Sequence, residues 1–160
     1  MRRKLTHLDS KGRVRMVDVG RKRVTTREAV ARGRVFMHRD TLRRMQSGAS
    51  AKGDVIATAH LAGVMAAKRT GDIIPLAHRL SLDAVDMAFS IDPDSSSVGI
   101  EARVRTRART GVEMEALTAV AVAALTIYDM LKAVDRGMVM GELALWEKRG
   151  GRSGPYRRGA

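Results

Sequence analysis

The apolar residues in the first two-thirds of the chain follow three regular patterns. Residues 33–39 alternate apolar and polar side chains, which predicts a short strand. Residues 54–69 carry apolar or small side chains at helical spacing and end in a basic turn before a glycine, which predicts a helix. Residues 82–91 and 98–108 flank a turn-rich segment, so we expect them to form a β-hairpin.

Two further elements complete the predicted fold. Residues 112–134 form a predicted helix of about 34 Å, and residues 138–147 form a predicted strand. The element order predicts an α+β, ferredoxin-like split βαβ sandwich, in which two helices cover one face of an antiparallel sheet. The length of 160 residues fits a single domain with a basic N-terminal arm (1–32), a ferredoxin-like core (33–148) and a flexible basic tail (149–160).

Both faces of the predicted long helix carry apolar residues. The face expected to cover the sheet consists of Leu117, Val120, Ala124, Ile127, Leu131 and Val134. The opposite face consists of Glu115, Thr118, Val122, Leu125, Thr126, Asp129 and, at its border, Lys132. Because a chain with two predicted helices has little left to cover this second face, we infer a partner subunit.

Asp129 and Lys132 are three residues apart on this helix, so their side chains should share one surface patch. Burying an ionised pair on an otherwise apolar helix costs free energy, so such a pair is expected to be hydrogen-bonded or to serve a function. Two interpretations follow, a buried salt bridge at a subunit interface or a pair of reactive groups.

The positive charge of the chain is concentrated at its ends. The net charge is +13, and residues 1–50 alone carry an excess of 11 positive charges. Basic termini are typical of proteins that bind phosphate, on nucleic acid or on a small anion, although solubility is an alternative explanation. Aromatic residues make up only 3% of the chain, so a base-stacking surface for single-stranded nucleic acid is not expected.

Composition excludes several classes of protein. The chain has no cysteine, which rules out disulfides, thiolate catalysis and Cys-ligated metals. The longest nearly apolar stretch, 116–127, is well short of the ~20 residues that span a bilayer, and no signal peptide follows the first residues. We therefore expect a cytoplasmic protein. The four histidines lie far apart, so no metal site is expected.

Two short segments around the first predicted helix contain candidate functional residues. His78 and Arg79 follow this helix and could serve in acid–base chemistry or contact phosphate, although a lone histidine is often structural. Lys52 precedes Asp54, whose side chain is a suitable N-cap for the helix.

Two other segments carry charges suited to a nucleotide. Glu113 and Glu115 open the long helix, where acidic residues complement the positive helix end. A carboxylate there could instead accept the paired N–H donors of a guanine-like ring. Residues 147–154 combine small residues with positive charges, as in loops that wrap phosphates, or they belong to the flexible tail.

Several blocks of the sequence together resemble the cyclic pyranopterin monophosphate synthase family of molybdenum cofactor biosynthesis. The similar blocks are residues 6–9, 16–19, 52–54, 68–70, 73–78, 110–120, 123–133 and 150–154. The chain departs from the family pattern at Ala77 and Arg79, where the family usually has cysteine and proline. Arg109 and Arg152 stand where the family has lysines, so the positive charge is kept but a planar guanidinium replaces a compact ammonium group.

The resemblance implies a lyase reaction. The substrate would be 3′,8-cyclo-7,8-dihydro-GTP, and the product would be cyclic pyranopterin monophosphate, formed with loss of pyrophosphate. Proton transfers and neutralisation of a triphosphate are what this chemistry requires, and no cofactor is implied. Lysine suits proton transfer because burial beside other cations lowers its pKa towards neutrality.

Family resemblance also assigns roles to residues and suggests an assembly. Asp129, Lys132 and Lys52 would be catalytic, and substrate would contact Leu76, Ala77, His78, Met114, Glu115, Glu113, Lys68, Arg69 and Lys148. The assembly would be a homohexamer built as a trimer of dimers, with active sites at the dimer interface. An RNA-binding ferredoxin-like module and a catalytically inactive family member remain as alternatives.

Overall fold

The computed structural model describes residues 11–48 and 53–159, which form five strands and four helices. The strands are β1 (Thr25–Phe36), β2 (Ala84–Asp92), β3 (Ser97–Ala108), β4 (Val139–Arg149) and β5 (Tyr156–Arg157), and the helices are α1 (Arg39–Gln46), α2 (Val55–Lys68), α3 (Thr70–Ile73) and α4 (Glu113–Leu131). The strands form one antiparallel sheet in the order β2-β3-β1-β4-β5. This arrangement, with α2 and α4 packed on the sheet, confirms the predicted ferredoxin-like α+β fold.

β1 is the central strand, and its predicted bounds were wrong. It begins at Thr25, inside the predicted N-terminal arm 1–32, and ends at Phe36 rather than at residue 39. Charged residues along the strand make its alternation of apolar and polar side chains hard to recognise in the sequence. They lie on the open face of the sheet, where Arg32 pairs with Glu101 at 2.6 Å. The small residues of the opposite face are buried under α4, where a methyl group on Gly33 would collide with Val120.

The predicted β-hairpin is confirmed, with Asp92 of β2 paired to Ser97 of β3. The Asp92 carboxylate accepts hydrogen bonds from the Ser95 hydroxyl at 2.7 Å and from the backbone N–H of Ser95, and it pairs with Arg34 of β1 at 3.0 Å. These interactions lower the pKa of Asp92 to about 2, the Ser95 hydroxyl having the largest effect. The turn is therefore held by a carboxylate that stays ionised at neutral pH.

The helix α2 begins where the sequence predicted it. The Asp54 side chain accepts a hydrogen bond from the backbone N–H of Ala57 at 2.9 Å, which confirms its role as the N-cap. α2 lies close alongside α4 because Gly63 faces the carbonyl oxygen of Ala119, where a larger side chain would not fit. The two helices and the covered sheet face enclose the core, which includes Val35, Ile100 and Ile127.

The chain itself covers only part of the second face of α4, for which the sequence analysis inferred a partner subunit. Glu115 and Thr118 are buried within one chain, and Val122 and Thr126 are half-buried. A partner subunit is therefore not needed to explain these positions. Leu125, in contrast, is 53% exposed.

Two short helices were not predicted. α1 follows β1 and buries Leu42 and Met45, while α3 is a single turn after α2. The buried carboxylate of Asp135 connects α1 to the end of α4. It accepts hydrogen bonds from the backbone N–H of His38 at 2.9 Å and from the Thr41 hydroxyl at 3.1 Å. These bonds and that of the Gly137 N–H lower the pKa of Asp135 despite its burial.

The sheet extends beyond the predicted end of the core at residue 148. β4 continues through Arg149, and Tyr156 and Arg157 pair with it as a short edge strand. The prediction placed residues 149–160 in a flexible tail, whereas Arg149 belongs to β4 and Tyr156 and Arg157 extend the sheet edge. Next to β4, an exposed surface that we call the apolar patch consists of Ala121, Leu125, Met140 and Leu143.

α4 has the length and mean hydropathy (1.5) that could allow a helix to cross a membrane, and within the described residues no other helix meets both conditions. It is, however, the helix that packs on β1, β3 and β4, and more than half of its most apolar stretch is buried. Its apolar composition is explained by the core of the sandwich.

Candidate active site

Two adjoining cavities lie at the amino-terminal end of α4. The larger has a volume of about 810 Å³ and the smaller about 270 Å³. Lys22, Thr110, Gly111 and Glu113 line both of them. A ligand with a ring and a chain of phosphates could therefore occupy both cavities at once.

The larger cavity, which we call the phosphate cavity, is strongly basic. Among the described residues, its lining has seven cationic side chains and one acidic side chain, Glu113. The cations are Arg21, Lys22, Arg23, Arg27, Arg109, Lys148 and Arg152. This composition favours an anionic ligand with several charges.

Glycines of the loop after β4 shape one wall of the phosphate cavity. Gly150 and Gly151 have φ values of +88° and +81°, and a side chain on Gly151 would collide with the guanidinium of Arg27. Arg27 in turn donates from Nε to the carbonyl of Ala108 at 3.4 Å and from Nη2 to that of Arg109 at 3.3 Å. Arg27 thus connects the loop after β4 to the segment that precedes α4.

Lys148 is the one predicted substrate residue found in the phosphate cavity apart from Glu113. Its Nζ donates to the Ser153 hydroxyl at 2.5 Å and lies 3.6 Å from a carboxylate oxygen of Glu113. The loop 147–154, for which phosphate wrapping was one interpretation, therefore places a cation at the cavity. Sequence reasoning missed Arg21, Lys22, Arg23 and Arg27, although the charge excess of the first 50 residues was the available signal.

The smaller cavity, which we call the ring cavity, brings together six of the predicted substrate residues. They are Leu76, Ala77, His78, Glu113, Met114 and Glu115. Val17 and Val19 of the segment before β1 also line it. The Nε2 of His78 lies 2.9 Å from the carbonyl oxygen of Val17, which can only accept a hydrogen bond, so Nε2 carries a proton. This bond holds the segment before β1 against the ring cavity.

Glu115 is the most buried charged residue of the ring cavity. It is 3% exposed, and burial together with the nearby charge of Glu113 raises its pKa from 4.5 to about 7, although a hydrogen bond from its own backbone N–H acts in the opposite direction. Both forms of this carboxyl group are therefore populated near neutral pH.

The predicted catalytic pair lies at the opposite end of α4. Lys132 Nζ is 2.7 Å from Asp129 Oδ1, and both side chains are more than half exposed. Sixteen residues of helix separate Asp129 from Glu113, about 24 Å. Among the described residues, neither Asp129 nor Lys132 lines either of the two cavities.

The electrostatics of Lys132 differ from the prediction. The hydrogen bond and the charge of Asp129 raise the pKa of Lys132, whereas the sequence analysis expected burial to lower it. The cause is exposure, because a lysine that faces solvent beside a carboxylate is stabilised in its charged form.

Two other predicted site residues do not line these cavities, and a third lies outside the described residues. Lys68 is the exposed last residue of α2, and Arg69 follows it as the C-cap, but within the described part of the chain neither lines the phosphate cavity or the ring cavity. Lys52 lies outside the described residues. In the described ranges, no group of three or more His, Asp or Glu side chains could hold a metal ion.

A basic cavity joined to a small cavity with a buried carboxyl group defines an α+β protein suited to binding a phosphorylated ring compound. Comparison with known families is more specific. The MoaC family model matches residues 16–151, and the chain belongs to this family.

Three relatives, each called cyclic pyranopterin monophosphate synthase, align with almost the full chain. That of Heliobacterium modesticaldum is 64% identical over 154 residues, which cover 96% of this chain and 97% of the relative. Those of Thermomicrobium roseum and Chloroflexus aurantiacus are 59% and 58% identical over 154 residues, covering 96% of this chain and 93% and 94% of the relatives.

Proposed function

We propose that this protein converts 3′,8-cyclo-7,8-dihydro-GTP into cyclic pyranopterin monophosphate with release of pyrophosphate, as a lyase of molybdenum cofactor biosynthesis in the cytoplasm. The observation that carries the proposal is the joined pair of cavities, one basic and one containing a buried carboxyl group. The relatives that share up to 64% identity bear the name of this activity. The chain's own cavities match the two halves of the proposed substrate.

The phosphate cavity would bind the triphosphate and favour loss of pyrophosphate. In this reaction a hydroxyl group attacks the first phosphorus, and the bond to the leaving pyrophosphate breaks. Negative charge builds up on the leaving oxygens, so fixed cations such as Lys148, Arg27 and Arg152 would stabilise the transition state. Lys22 lines both cavities and would lie beside the first phosphorus, where the ring and phosphates meet.

Proton transfer would require Asp129, Lys132 and Lys52, the residues assigned by family resemblance. Because about 24 Å of helix separates Asp129 from Glu113, one chain does not bring the pair to its own cavities. We therefore infer that a second copy of the chain supplies them. Burial at such an interface would remove solvent from Lys132 and lower its pKa relative to the exposed state.

The apolar patch supports this two-chain site. Leu125 on α4 is 53% exposed, and Met140 and Leu143 on the neighbouring β4 are 43% and 49% exposed. A two-fold axis near the middle of α4 would place the carboxyl-terminal end of one α4 beside the amino-terminal end of the other. Three such dimers would give the proposed hexamer.

Mixed assemblies test whether the site is shared between chains. Lys148→Ala and Asp129→Asn proteins should each be inactive alone. A random mixture of the two should regain about a quarter of wild-type turnover, because half of the dimers are mixed and each mixed dimer has one intact site. Mixing two preparations of Asp129→Asn protein is the control. If the first mixture stays as inactive as the control, the site is not shared between chains.

A direct assay tests the activity. Purified protein is supplied with 3′,8-cyclo-7,8-dihydro-GTP, and pyrophosphate and the cyclic pterin are measured together. We expect both products in equal amounts. An inactive family member would bind the substrate and release neither, and this result would remove the proposed function. The RNA-binding alternative would require exposed rings on the sheet, and the ring of Trp146 on its open face is covered by Arg32 at 4.5 Å.

A further inference from the structure

Two carboxyl groups in the first turn of α4 have different surroundings. Glu113 lies over Gly111, is 31% exposed and faces Lys148 Nζ at 3.6 Å. Glu115 is 3% exposed and lines the ring cavity, and residues 11–48 and 53–159 provide it with no ion-pair partner. An unpaired carboxylate is costly to bury, so burial favours the neutral acid at Glu115.

Few charges act on Glu115 from the surrounding elements. In the lining of the ring cavity, the titratable groups besides Glu115 are Lys22, His78 and Glu113. The segment before β1 also carries Asp18, Arg21 and Arg23, and α2 and α3, which pack on α4, carry His60, Lys68 and Asp72. His60, Lys68 and Asp72 are exposed, and Asp72 pairs with Arg79 at 2.8 Å. Desolvation comes first among the effects that raise the pKa of Glu115 to about 7, and repulsion from Glu113 adds to it.

The protonation state of a carboxyl group decides which purine edge it matches. A carboxylate has two acceptor oxygens, which suit the N1–H and amino N–H donors of a guanine-type ring. A neutral carboxylic acid has one donor and one acceptor, which suit N1 and the 6-amino group of an adenine-type ring. Glu115 could therefore accept either ring, depending on its proton.

We propose, building on the function proposed above, that Glu115 is a specificity residue whose proton must leave before a guanine-type ring binds. The O–H bond of the acid breaks, its proton passes to the solvent through the open ring cavity, and two N–H···O hydrogen bonds form. Guanine-nucleotide affinity then rises with pH. An adenine-type ring binds the protonated form, and its affinity falls as pH rises.

Titration calorimetry with GTP and ATP tests this coupling. The two probes share the triphosphate, so protons exchanged by the phosphates cancel in the comparison. Binding is measured from pH 6 to 8.5 in two buffers of different ionisation enthalpy, which gives the number of protons released. From pH 8 to pH 6, the affinity for GTP relative to ATP should fall at least about tenfold. At pH 6, GTP binding should release close to one proton more than ATP binding.

Two variants identify the residue responsible. Glu115→Gln has one fixed donor and one fixed acceptor, so its preference between GTP and ATP should not change with pH. Glu101→Gln, on the open sheet face, should behave as wild type. Equal proton release by GTP and ATP in the wild type overturns the proposal, as does an unchanged pH dependence in Glu115→Gln.

A measurement on the wild type covers the case in which Glu115→Gln does not fold. Carbon-13 NMR of labelled glutamate carboxyl groups should show one group that titrates near pH 7 in the free protein and stays ionised at pH 6 with GTP bound. If all glutamates titrate below pH 6 in the free protein, the proposal is overturned.

The failure of this inference can be distinguished from the failure of the proposed function. Protein that forms pyrophosphate and cyclic pterin but releases equal protons with GTP and ATP keeps the function and contradicts the role of Glu115. Protein that shows the GTP-linked proton but forms no product keeps the role of Glu115 and contradicts the function.

Discussion

The two ends of α4 show how differently one helix can be used. At its amino-terminal end, Glu115 is buried and the chain's own residues complete two cavities. At its carboxyl-terminal end, Asp129 and Lys132 form an exposed ion pair that faces solvent in the single chain. The first end has cavities formed within one chain, whereas the second would need another chain to enclose its ion pair. An apolar face in a sequence therefore does not reveal whether the same chain or a partner covers it.

The largest effect on activity is expected from substitutions at the exposed carboxyl-terminal end of α4. Asp129→Asn or Lys132→Ala should lower kcat by about a thousandfold, because proton transfer is lost. GTP affinity should change less than about threefold, since the cations of the phosphate cavity remain. Turnover assays and titration calorimetry measure the two quantities. On the basis of resemblance, Lys52→Ala should give the same loss.

A matched control is available on α1. Asp40 and Arg43 form another exposed pair at spacing i, i+3, with a distance of 3.4 Å. Asp40→Asn should leave kcat unchanged. Wild-type turnover in both Asp129→Asn and Lys132→Ala would contradict the catalytic assignment.

The second largest effect should be on the stability of the folded protein, through Glu115 at the buried amino-terminal end of α4. Because the pKa of Glu115 is about 7 in the folded protein and near 4.5 when unfolded, the folded state binds more protons between these pH values. The stability that protonated Glu115 adds to the folded state is therefore fully present below pH 4.5 and is lost as the pH rises through 7. The free energy of unfolding should decrease by about 3 kcal/mol over this range.

Glu115→Gln should remove this part of the pH dependence. Chemical denaturation at pH 5 and pH 8 measures it, and Glu101→Gln serves as the control that keeps the wild-type slope. The low pKa of Asp135 does not interfere, because this group is ionised throughout that range. Identical slopes in wild type and Glu115→Gln would show that Glu115 is ionised at pH 5.

The smallest effect concerns the loop of the phosphate cavity. Gly151→Ala should weaken GTP binding about tenfold, because the new methyl group displaces the guanidinium of Arg27 and costs about one charge-assisted contact. Gly154→Ala is the matched control, since Gly154 also has a positive φ of +72° but open space around its Cβ position. If both variants lose the same affinity, backbone strain rather than Arg27 explains the loss.

Sequence patterns predicted the fold well where one face of an element is apolar. The hairpin and both long helices were found because their periodicity is regular. β1 was shortened because Arg27, Glu28 and Arg32 interrupt its pattern, and only cross-strand pairing explains these charges. α1 is too short for its buried apolar side chains, Leu42 and Met45, to give a clear period.

The candidate site was only partly predictable for a similar reason. The motif residues around Glu115 and His78 do converge on the ring cavity. The cations Arg21, Lys22 and Arg23 looked like part of a charged arm, and their approach to Lys148 depends on how the segment before β1 folds back. Such long-range placement has no local signal in the sequence.

The hydrogen bonds of Asp135 have a consequence for the geometry of any assembly. They fasten the end of α4 to the end of β1, while Arg27 at the start of β1 borders the phosphate cavity. β1 and α4 therefore hold the phosphate cavity at a fixed distance from the carboxyl-terminal end of α4. In the proposed dimer, this length would set the distance between the two shared sites.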